Sequence, residues 1–137
     1  MDMQRLLAVA LLFPASCANL PAPAGPQPAT IESFRANPAL CGHSGSPICE
    51  ARVNRVGGKP VFSSSSRIQV EPGRRTLGLF CKINLSIMIG DAQNFQREVE
   101  VSLAPGARYR VAAGMEPRPC TMTLIDEATG KAVGTAR

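Results

Sequence analysis

Cys41, His43 and Cys49 fall within one short segment, and their side chains are of the kind that ligates zinc. A fourth ligand is missing from that segment, and two cysteines bracketing a Gly/Ser-rich loop are equally suited to a disulfide. Gly42-His43-Ser44-Gly45-Ser46 comes close to a nucleophile elbow, but that turn needs Gly two residues after the serine, where Ser46 stands. His43 is the only histidine and adjoins Ser44, too near in sequence for a base that must reach a nucleophile's hydroxyl. Glu98 and Glu100 share one strand face, yet alternation turns that face to solvent, which speaks against paired-carboxylate glycoside chemistry. No phosphate-cradling loop or dinucleotide fingerprint occurs. Arg74, Arg75, Arg108 and Arg110 are candidates for an anion-binding patch; the other reading makes them strand charges that discourage edge-to-edge pairing. The chemistry expected is therefore binding without catalysis, with no metal and no cofactor.

The N-terminus carries an address. Met1 to Arg5 is a short cationic start, and Leu6 to Phe13 is an unbroken apolar run. Such a run is too short for a bilayer, which needs about 20 apolar residues, and matches the hydrophobic core of an export signal. Pro14, Ala15 and Ser16 then precede Cys17. Small residues directly before a cysteine resemble a bacterial lipobox, with Pro14 where that family usually has Leu. The resemblance implies a signal peptide over residues 1–16, diacylglycerol on the Cys17 thiol and cleavage just before it. It further implies that Ala18, being non-acidic, sorts the protein to the outer membrane, facing the periplasm. Cleavage by the general signal peptidase near Ala18 or Ala24, or an uncleaved buried helix, are the other readings of this stretch.

Residues 17–38 read as a lipid-anchored tether. Asn19 to Pro28 contains four prolines, and proline lacks a backbone donor and fixes φ, which favours extended polyproline II. Thr30 to Asn37 suggests a short helix capped by Thr30 and stopped by Pro38. Residues 39–137 then form the folded domain.

In that domain the dominant period is two. Leu77, Leu79, Cys81, Ile83, Leu85, Ile87 and Ile89 occupy successive odd positions. Val99, Val101 and Leu103 alternate with Glu98, Glu100 and Ser102, and Tyr109 and Val111 with Arg108 and Arg110. Further runs place Ile68 with Val70, Cys120 with Met122 and Leu124, and Cys49 with Ala51 and Val53. Pro72-Gly73, Gly90-Asp91, Pro105-Gly106 and Thr129-Gly130 punctuate them as turns. One polar and one apolar face per strand is the antiparallel pattern. The expected fold is all-β, a small antiparallel β-sandwich or partly closed barrel.

The segment from Ile68 to Val133 resembles the PEGA type of small bacterial envelope β domain. The features shared are Val70-Glu71-Pro72-Gly73-Arg74, Leu103-Ala104-Pro105-Gly106-Ala107-Arg108-Tyr109 and the closing hairpin at Asp126-Glu127-Ala128-Thr129-Gly130. The resemblance implies a sandwich-like, non-catalytic surface module.

There are five cysteines. With Cys17 lipidated, Cys41, Cys49, Cys81 and Cys120 remain, and an even number in an exported domain reads as disulfides. Cys81 and Cys120 both point inward by alternation, while Cys41 and Cys49 bracket a loop able to fold back. The preferred scheme is Cys41–Cys49 and Cys81–Cys120; the competing one leaves Cys81 and Cys120 as buried thiols.

The formal net charge is +5, carried mostly by scattered Arg, with aromatics at 4%. That balance suits anionic surroundings such as headgroups or wall polymers and gives no footprint for nucleic acid. Two functions follow as expectations. One is a non-catalytic envelope lipoprotein whose β domain contacts an envelope protein or cell-wall polymer at the membrane. The other is a secreted inhibitor or immunity-type protein that binds an enzyme through disulfide-bound loops.

Overall fold

The computed structural model describes residues 26–36, 41, 47–62, 65–84 and 92–136. The signal segment, Cys17, His43, Ser44 and the Gly90-Asp91 turn lie outside the described residues. Those described form ten strands and no helix: β1 (Ala29–Glu32), β2 (Phe34–Arg35), β3 (Ile48–Val56), β4 (Lys59–Pro60), β5 (Arg67–Val70), β6 (Gly73–Asn84), β7 (Ala92–Leu103), β8 (Arg108–Gly114), β9 (Thr121–Asp126) and β10 (Ala132–Ala136).

Two sheets face each other. One runs β10-β9-β8-β1-β5; the other runs β2-β3-β6-β7, with β4 also paired to β3. The sheets remain separate, so the sandwich form is the one adopted and the barrel is not. Pairing is antiparallel except between β1 and β8, which run parallel with Thr30 opposite Arg108.

The alternation explains the layers. Leu77, Leu79, Cys81 and Ile83 of β6 are fully buried, and Val99, Val101 and Leu103 of β7 continue the same inner face. From the other sheet Ile31, Val70, Tyr109, Val111, Met122 and Leu124 meet them. Burying each such side chain stabilises by roughly 1.5–3 kcal/mol. Tyr109 is 2% exposed, and its hydroxyl accepts a hydrogen bond from the Ala104 amide at 2.8 Å, so its polar tip is satisfied inside the core. The Cys81–Cys120 disulfide joins the two sheets from within, its Cα atoms 6.0 Å apart. Both sulfurs belong to residues with no exposed surface, so these are not buried free thiols.

Two expectations need correction. The helix foreseen over Thr30 to Asn37 is absent from the described part of that segment; β1 and β2 occupy it instead. Ala29 and Ile31 are buried while Thr30 and Glu32 are half-buried, a period of two in which β-branched residues suit a pleated surface. β1 sits between β5 and β8, so Ala29–Glu32, expected in the tether, belong to the sandwich. The second concerns Cys49. A register shift between Ile48 and Glu50 breaks the alternation of β3. Ile48, Ala51 and Val53 enter the core, and Cys49 is left half-buried outside it, the effect of one extra residue in a ladder.

Candidate functional site

The outer face of the β2-β3-β6-β7 sheet carries a concave groove. Register builds it row by row. Arg35 lies opposite Glu50, and Glu50 opposite Lys82. Arg52 lies opposite Phe80, and Arg55 opposite Gly78. The segment after β4 adds Val61 and Phe62 as a rim, and Cys41 with Cys49 closes one end. The open-sided groove has a volume of about 1090 Å³.

Its electrostatics are one-sided. Arg35, Arg52, Arg55 and Lys82 line it, against one carboxylate among the described lining residues, Glu50. That carboxylate accepts from Arg52 Nε at 2.8 Å and faces Arg35 Nε at 3.9 Å. The Arg52 guanidinium also rests 5.0 Å from the centroid of Phe80, an attraction between cation and ring face. Arg55 and Lys82 make no ion pair among the described residues, where cations outnumber carboxylates along the groove. Asn54 and Gln96 hydrogen-bond each other twice, at 2.7 and 2.9 Å.

Gly78 makes this crowding feasible. A Cβ there would come 2.7 Å from the Arg55 Cβ and 3.2 Å from both the Asn54 Oδ1 and the Gln96 Nε2. The bare backbone of the central strand is what lets Arg55 and the amide pair lie across the sheet. Phe62, at 91% exposed, stands at the rim with no apolar cover.

The four arginines singled out from sequence do not line this groove. Arg74 and Arg75 are on β6, Arg108 and Arg110 on β8 of the opposite sheet. Arg74 is bound to Glu100, which holds the Glu100 carboxyl below the usual carboxylate range and raises the guanidinium, chiefly through their hydrogen bond. Arg75 donates to the backbone carbonyls of Glu71 and Pro72 at 3.1 and 3.0 Å and reaches the Glu71 carboxylate at 3.4 Å. It clasps the turn into β6. Arg108 and Arg110 are exposed on a strand between β9 and β1, so they are not edge charges. Glu98 and Glu100 are exposed on β7, as their alternation implied.

Cys41 and Cys49 are joined, with Cα atoms 5.1 Å apart. Both thiols are thereby consumed, which removes them as thiolate ligands, and no group of three His, Cys, Asp or Glu among the described residues is placed to hold a metal. Both pairings match the preferred disulfide scheme. Sequence reading overlooked the groove because Glu50, Arg52 and Asn54 alternate as an ordinary polar face, and Arg55 joins them only through a register shift between Val53 and Arg55. The available signals were Arg52 and Arg55 on one strand and Phe62 outside any apolar pattern. No protein-family model, curated protein or solved structure matches the chain.

Proposed function

We propose that this chain is a non-catalytic cell-envelope lipoprotein whose β-sandwich serves as a binding module. Residues 1–16 act as its signal peptide and a lipid on Cys17 anchors it at the outer membrane, facing the periplasm. Its partner is an envelope protein or cell-wall polymer. The observation that carries this reading is the groove itself. Its described lining is guanidinium, ammonium, amide and phenyl groups around one carboxylate, which suits holding a polar ligand. Its carboxylate, Glu50, is already engaged by Arg52. Two disulfides in so small a domain also suit an oxidising compartment.

Intact mass of the protein extracted from membranes, before and after reduction, tests this reading. Lipid mass on Cys17, lost in Cys17→Ser together with membrane retention, supports it, as does a four-proton gain on reduction. A soluble, unlipidated wild-type chain with free thiols would overturn it. The inhibitor reading depends on the loop between Cys41 and Cys49, whose residues 42–46 lie outside the described residues.

A further inference from the structure

The geometry points to a carboxylate-bearing glycan strand as the occupant of the groove on the β2-β3-β6-β7 face. This inference rests on the reading that the groove binds rather than catalyses, and names its ligand class.

Charge comes first. Arg55 and Lys82 have no ion-pair partner among the described residues, while Arg35 and Arg52 share Glu50. A ligand with carboxylates spaced along its length would neutralise this surplus through charge-assisted hydrogen bonds. Shape comes second. About 1090 Å³ in an open-sided groove exceeds what one small molecule fills and suits a segment of a polymer. Surface chemistry comes third. Phe62 offers an exposed phenyl face at the rim, onto which the apolar C–H face of a sugar ring can pack and leave water. An acidic protein partner fits less well, because the centre of a protein interface is dry, apolar and poor in charge. Here Arg35, Arg52, Arg55 and Lys82 all line the groove.

The test is titration of the protein purified from membranes with three soluble probes: oligogalacturonate, neutral maltoheptaose and poly-glutamate. Oligogalacturonate should bind, more weakly as salt rises, and maltoheptaose should not. Arg55→Ala with Lys82→Ala removes no ion pair among the described residues and should weaken oligogalacturonate about tenfold or more. Arg110→Ala, on the opposite sheet, should leave it unchanged. Phe62→Ala should weaken oligogalacturonate several-fold and leave poly-glutamate as it was. Thermal unfolding of each variant shows that it is folded.

Three results overturn the inference: no binding of oligogalacturonate, equal loss with Arg110→Ala, or poly-glutamate binding as tightly with Phe62 irrelevant. The last would indicate an acidic protein partner. The anchoring reading fails separately, by the mass of Cys17. A lipidated chain indifferent to oligogalacturonate loses the ligand class alone, and an unlipidated chain that binds it loses the anchor alone.

Discussion

Gly78 is the residue on which the outer face turns. Any side chain there meets the Arg55 Cβ, which sits on a neighbouring strand and cannot swing away as a side-chain tip could. Gly78→Ala should destabilise the domain by about 1–3 kcal/mol, the usual cost of overpacking, seen as a lower urea midpoint at unchanged slope. Arg74 and Glu100 allow a second measurement at this scale. Because the folded carboxyl lies below its unfolded value, whatever the pair contributes is present above the unfolded carboxylate range. It is lost as pH falls through the folded value. A carboxyl-carbon NMR titration should show Glu100 protonating below an ordinary glutamate, and Arg74→Ala should return it to the ordinary range. The pair is exposed, so the change in overall stability should be small.

At the scale of the element, the two disulfides differ in what they join. Cys81–Cys120 closes a separation of 39 residues between sheets, Cys41–Cys49 one of 8 beside β3. The chain-entropy relation gives about 4 kcal/mol for the first and about 2.5 kcal/mol for the second. Replacing Cys81 and Cys120 together by Ala should therefore lower the denaturation midpoint further than replacing Cys41 and Cys49. Equal losses would mean that the inter-sheet bridge adds nothing beyond a local clip. Strand content was legible because each inner face needs apolar residues at every second position, as in Leu77 to Ile83 and Val99 to Leu103. β1 was misread because Thr30 resembles a helix cap, and only its place between β5 and β8 makes it a strand. Cys49 was misplaced because a bulge shifts register without any mark in composition. The groove was illegible for a related reason. Alternation assigns Arg52, Lys82 and Gln96 to an outer face but cannot say that three strands bring them side by side.

At the scale of the whole molecule, the sandwich is held together by pairings distant in sequence. β10 packs over β7, where a Cβ on Gly134 would strike the Val99 and Val101 side chains, so the last strand helps close the side opposite β3. β1 is secured on both flanks by later strands, β5 and β8. A chain ending before Arg108 would leave β1 with β5 alone and remove the strands that cover β6 and β7. It should show no cooperative unfolding transition and no dispersed NMR spectrum.

The parallel contact between β1 and β8 also sets an order in time. The ribosome delivers β1 first, yet its partner β8 emerges only after most of the chain. Until then Ala29 and Ile31, both destined for the interior, lack the strand that closes one flank of β1. Topologies dominated by such distant pairings fold in milliseconds to seconds, and their exposed strands invite aggregation meanwhile. The chain thus passes through a vulnerable interval that ends only when β8 and the strands after it arrive.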